Sequence, residues 1–198
     1  MTFETFLALI GLAIASLFTP GPNNAMLAAS GANHGFRRTI PHGLGVVTGF
    51  TLMLLIVGLA LGGLFQASEI LRETLRWGGA ALLLWLAWKI AISGGKETKS
   101  KSLPPMTYLT AVGFQWINPK AWSMAIAATS QFIAPEKPLL TAGIVTLTFL
   151  TLGLASSSTW IAAGQAISGW LTTPARRHSF NLVMAALIVW STLALLRH

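Results

Sequence analysis

The sequence predicts an all-α integral membrane protein. Six transmembrane helices are expected, as two inverted three-helix repeats, with helices 1 and 4 broken in mid-membrane. Three observations carry this. Of 198 residues, 54% are hydrophobic and only 9% charged, too few charges for a soluble surface. The charges fall in short clusters that leave apolar stretches of spanning length between them. Two of those stretches are interrupted by proline, at Thr19-Pro20-Gly21-Pro22-Asn23-Asn24 and at Asn118-Pro119-Lys120.

From Thr5 to Phe36 no residue is charged, a run of 32 positions and too long for one simple span. Two prolines around Gly21 cannot continue a helix, so a first half is expected to end near Phe18. A second half starts at Pro22 or Asn23, with Asn23 or Asn24 as N-cap candidates. The first residues carry no positive n-region and are not expected to form a cleavable leader. Arg37, Arg38 and His42 mark the next boundary, and Gly43 to Phe65 is expected to be the second span. Gly45-xxx-Gly49 and Gly58-xxx-Gly62 offer close helix contacts within one bundle or, less simply, a homodimer interface. Glu69, Arg72, Glu73 and Arg76 form the next polar segment, read as an amphipathic entry to a third span expected from Thr74 to Ser93. Its Trp77, Trp85 and Trp88 suit interface anchors, and Lys89 can snorkel to the loop that follows. A linker over residues 94–105 divides the chain into a first repeat, 1–93, and a second, 106–198.

The fourth span is expected from Thr107 to Ile133 and holds the second break. The 36 uncharged residues Leu139 to Pro174 read as one long or tilted fifth span with a short exit. Its Thr148, Thr151, Ser156, Ser157, Ser158 and Thr159 serve either helix–helix hydrogen bonding or the lining of a path. Arg176, Arg177 and His178 precede a sixth span from Phe180 to Leu196. At an offset of 99 residues, Phe18-Thr19-Pro20 falls on Ile117-Asn118-Pro119. A three-span unit must re-enter the membrane in the opposite sense, which makes the pair inverted and turns both breaks toward one site. Arg37, Arg38, Lys96, Lys99, Lys101, Arg176 and Arg177 lie on one side, against Arg72, Arg76, Lys137 and Arg197 on the other. Seven against four puts the first group in the cytoplasm and both termini in the periplasm.

Lys120 is the residue around which chemistry is expected. It is the only charge between Lys101 and Glu136, 19 residues from the first and 16 from the second. An ammonium at mid-span costs about 2.5–3.5 kcal/mol on insertion scales, and its stem of about 6 Å covers only some four residues of helical rise. It is therefore expected to meet a partner, water or substrate rather than to snorkel. Two helices restarting in the membrane point free N–H groups and positive dipole ends at one cavity. With Lys120 they make a positive pocket suited to a small carboxylate, and Asn23, Asn24 and Asn118 add amide donors and acceptors. Pro20, Gly21, Pro22 and Pro119 form the breaks. There is no Asp and no Cys, and His34, His42 and His178 are expected as solvated residues at span ends, so no metal, cofactor or thiol redox role is expected. No hydrolase motif is present, and the net charge of +8, spread over loop clusters, is not a nucleic-acid signal.

These motifs carry a family resemblance. Thr19-Pro20-Gly21-Pro22-Asn23-Asn24, Gly35-Phe36-Arg37 and Asn118-Pro119-Lys120 together resemble the LysE/RhtB superfamily of amino-acid exporters, in order along the whole chain. Trp77-Gly78-Gly79-Ala80 and Trp85-Leu86-Ala87-Trp88-Lys89-Ile90-Ala91 are similar to its cysteine/O-acetylserine exporter branch. The resemblance implies a non-enzymatic transporter in the bacterial inner membrane. It would export a small amino acid or derivative such as cysteine, O-acetylserine, homoserine or threonine, driven by an ion gradient. With no acid at mid-depth, the coupling ion stays open between a proton and sodium. Paired broken helices also build passive solute channels, although a mid-membrane lysine would obstruct a neutral pore. A membrane scaffold protein would need no central charge.

Overall fold

The Thr2 hydroxyl accepts from the Thr5 N–H at 3.2 Å and so opens the first helix, α1, which runs Phe3–Phe18. The computed structural model describes residues 1–61, 68–92 and 105–196. Within them the chain forms eight α-helices and no strand. Thr19, Pro20 and Gly21 end α1, and α2 (Pro22–His34) leaves at a bend of 53°. Gly35, at φ +80°, lets α3 (Phe36–Ile56) follow at once, and a π-helical turn, Val57–Leu61, extends α3. Next come α4 (Glu69–Ile92) and α5 (Tyr108–Phe114), the latter capped by the Thr107 hydroxyl. A 3₁₀ turn, Gln115–Ile117, leads through Asn118 to α6 (Pro119–Phe132). The chain closes with α7 (Pro138–Ser168) and α8 (Pro174–Leu196).

Small residues set the packing, as they must where lipid tails are as apolar as any side chain. A Cβ on Gly31 would collide with the Ile161 carbonyl, and one on Gly164 with that of Ala28, so α2 and α7 interlock backbone to backbone. Gly45 meets Tyr108 and Gly49 meets Val112, so α3 and α5 run parallel. Gly43 meets Ile161 and Ser157 while Gly153 meets Val47, so α3 and α7 run antiparallel. The Gly45 and Gly49 contacts lie within the bundle, as expected; Gly62 lies outside the described residues. Phe50 and Phe149 meet edge to face at 5.6 Å in a buried cluster with Met53 and Trp122. A second cluster, around Leu83, Phe114 and Ile188, ties α4 and α8 to α2 and α5. Outward, Ile70, Leu109, Leu139, Leu147 and Trp190 are left exposed, an apolar exterior that suits lipid.

Among the described residues, two helices are long and apolar enough to cross a membrane, Phe36–Ala60 and Pro138–Ser168, and the bent α1–α2 pair makes a third if it is one span. The six expected spans are met to that extent. The linker expected over 94–105 lies, apart from Pro105, outside the described residues.

Several helices reach beyond the expected spans. Helix α3 already contains Arg37, Arg38 and His42, α4 begins at Glu69, where an amphipathic entry to the third span was expected, and α8 begins at Pro174, ahead of Phe180. A charged residue marks the edge of the apolar slab but does not stop a helix, whose backbone bonds are satisfied on either side. Helix α7 ends at Ser168 and turns carry the chain to Pro174, the short exit expected after the fifth span. His42 is only 2% exposed, so it is not a solvated boundary residue. Gly21 is the N-cap of α2, without a side-chain cap bond; neither Asn23 nor Asn24 caps it.

Candidate functional site where the two helix breaks meet

The end of α1 frees backbone carbonyls that no helical N–H can reach. Three side chains from three other elements supply the missing donors. Asn24 of α2 donates from Nδ2 to the Leu17 oxygen at 2.7 Å and to the Thr19 oxygen at 2.9 Å. Ser156 of α7 donates to the Leu17 oxygen at 2.8 Å. Lys120 of α6 reaches across the second break and donates from Nζ to the Thr19 oxygen at 3.1 Å. The two breaks, about a hundred residues apart in sequence, are thus joined by an ammonium on a carbonyl. Gly21 permits the approach: a Cβ there would lie 2.9 Å from Nζ and 3.0 Å from Cδ of Lys120.

The second break is built by Asn118. Its Oδ1 accepts from the Lys120 N–H at 3.1 Å, a side-chain N-cap, and Pro119 occupies the first helical position, where no donor is needed. Trp122 Nε1 donates to the Trp116 oxygen at 2.8 Å, and the two rings pack edge to face at 6.0 Å, which holds the turn closed. Asn23 donates from Nδ2 to Gln115 Oε1 at 2.9 Å, linking the start of α2 to the 3₁₀ turn. Gln115 also donates from Nε2 to the Ala111 oxygen at 3.0 Å and is fully buried.

A cavity of about 50 Å³ lies at this junction, lined among others by Asn23, Asn24, Asn118, Lys120, Ser156 and Ser157. Every residue singled out in the sequence as a binding candidate therefore borders one space, and so does Gly21. Gln115 and Ser156 were missed as members of this network. Gln115 had a visible signal, an amide in an uncharged run three residues before Asn118. Ser156 had none, because its place depends on how α7 packs. Of the other hydroxyls on α7, Thr148, Thr151 and Thr159 donate back to carbonyls one turn earlier in their own helix, and Thr151, Ser158 and Thr159 face outward. Among the described residues no group of three His, Cys, Asp or Glu is placed to hold a metal ion.

A family profile described as LysE type translocator matches residues 14–198. The chain belongs to the LysE family. Relatives of this LysE-family protein include the cysteine/O-acetylserine efflux protein of Salmonella paratyphi A, 34% identical over 177 residues and 87% of each chain. The protein of the same name from Klebsiella pneumoniae is 30% identical over 192 residues and 96% of each chain. That of Escherichia coli K12 is 30% identical over 87% of each. No solved structure matches the chain. The family is one of transporters rather than enzymes, and membership supports a role in amino-acid export.

Proposed function

We propose that this chain is a secondary transporter that exports a small amino acid or amino-acid derivative across the bacterial inner membrane. Cysteine, O-acetylserine, homoserine and threonine are the first substrates to try. The observation that carries the reading is the Lys120 ammonium held on the Thr19 carbonyl between two helix breaks. A substrate carboxylate would take the place of that carbonyl and bring a full charge where the peptide offers a partial one. The free N–H groups at the starts of α2 and α6 and the amides of Asn23 and Asn118 would then hold the rest of a zwitterion.

Size argues that the site opens in use. A water needs about 10–15 Å³ of such space, so a cavity of about 50 Å³ holds a few waters and no amino acid. The arrangement suits an occluded state that must part for the substrate to enter, as alternating access requires. The parallel α3 and α5 and the antiparallel α3 and α7 support six alternating spans in two inverted halves. The coupling ion is a proton or sodium.

Counterflow into proteoliposomes loaded with each unlabelled amino acid tests the reading. It predicts saturable, transient accumulation of at least one labelled amino acid. Uptake that neither saturates nor exceeds equilibration would make the protein a passive channel instead.

A further inference from the structure

A second and wider cavity, of about 460 Å³, lies between α2, α3, α4 and the start of α5. His42, Lys89, Ser30, Asn33 and Thr110 line it, and none of them borders the Lys120 cavity. His42 is the unusual member. It is buried, and among the described residues neither of its ring nitrogens has a hydrogen-bond partner. Leaving such a group unpaired is costly, so it belongs where a ligand completes it. Lys89 brings the charge, with its ammonium 5.4 Å from the ring centroid of Trp85 and 5.8 Å from that of Trp88.

The two cavities follow one another along the same helices. On α2, Asn23 and Asn24 border the Lys120 cavity, whereas Met26, Ala29 and Ser30 border the wide one. The order repeats from Asn118 to Thr110, with Gln115 between them in sequence. Gln115, which lines neither cavity, thus falls between the two sets of lining residues along the chain and is bonded to Asn23 of the Lys120 cavity.

We propose that the wide cavity is a second substrate site, a vestibule that takes a small amino acid from the cytoplasmic side. Lys89 draws the carboxylate, His42 hydrogen-bonds to it, and the Asn23–Gln115 pair separates it from Lys120. The proposal rests on the export reading above. Volume distinguishes the two sites: the wide cavity admits an amino acid while the central one is closed.

The chain has no cysteine, so Asn33→Cys puts a single thiol at the exposed rim of the vestibule. In inside-out vesicles, its reaction with an impermeant thiol reagent is timed with and without O-acetylserine and homoserine, which carry no thiol of their own. Saturating probe is expected to slow labelling several-fold. The protection should persist with Lys120→Met, fall sharply with His42→Leu or Lys89→Met, and survive in part with His42→Gln, which keeps a neutral donor and acceptor. Protection abolished by Lys120→Met but kept in Lys89→Met and His42→Leu would overturn the vestibule. Should His42→Leu fail to accumulate, Lys89→Met decides alone, and full protection there counts against the proposal. Counterflow by the parent protein separates the two levels. Transport of a probe that gives no protection removes the vestibule only, whereas transport of none removes the export reading and the vestibule with it.

Discussion

The Thr19 carbonyl oxygen receives two donors, Asn24 Nδ2 and Lys120 Nζ, and this redundancy governs what substitution does. Asn24→Ala leaves Lys120 on Thr19 and Ser156 on Leu17, so it should lower stability only modestly, by about 1 kcal/mol. Lys120→Met leaves Asn24 on Thr19 and should fold. The double variant orphans that carbonyl, and its loss should exceed the sum of the single losses by about 1–2 kcal/mol. Unfolding midpoints of the three variants in one detergent measure this, and strict additivity would remove the shared-carbonyl account. Lys120 and Asn118 were legible in the sequence, because one is a lone charge in an apolar run and the other precedes a proline at a helix start. The role of Asn24 was not legible. Its side chain turns backward to the end of α1 rather than capping α2, a choice set by the 53° bend and not by local propensity.

Both helix breaks were legible to within a residue, since proline removes donors and fixes φ whatever surrounds it. Replacing Pro20, Gly21 and Pro22 together with Ala favours one continuous helix by about 3 kcal/mol per proline. The protein should still reach the membrane, because apolar length drives insertion, yet counterflow should be lost. Normal counterflow by the triple variant would make the break a tolerated kink. The interlock of α2 with α7 gives a second test at this scale. Gly164→Leu drives a side chain into the Ala28 carbonyl, which cannot retreat as a flexible side chain would. It should cost about 1–3 kcal/mol or more and reduce accumulation in the membrane. Gly164 was not singled out in the sequence, because its meaning depends on the partner helix it meets. That α3 and α8 begin ahead of their expected spans has a related reason: charge marks depth in a bilayer, not the end of a helix.

At the scale of the whole molecule, the Lys/Arg asymmetry predicts that Lys137 faces the periplasm and Ser100 the cytoplasm. Single cysteines at the two positions should react with an impermeant thiol reagent from opposite sides, Lys137→Cys in intact cells; the reverse pattern inverts the topology. The broad class of the molecule was legible because composition alone separates a membrane chain from a soluble one. The meeting of the two breaks at one site was expected from their matched places in the chain, whereas the small size of the cavity there depends on the packing of α2, α6 and α7, which no local pattern encodes. That meeting underlies the proposal that Lys120 binds the substrate carboxylate. Affinity in liposomes for a transported amino acid and for its amide, in parent and Lys120→Met, tests it most directly. Carboxylate binding by Lys120 predicts at least about a tenfold loss for the amino acid on Lys120→Met, about 1.4 kcal/mol, with little further loss for the already weak amide. Equal affinity of parent and variant for the amino acid would contradict it.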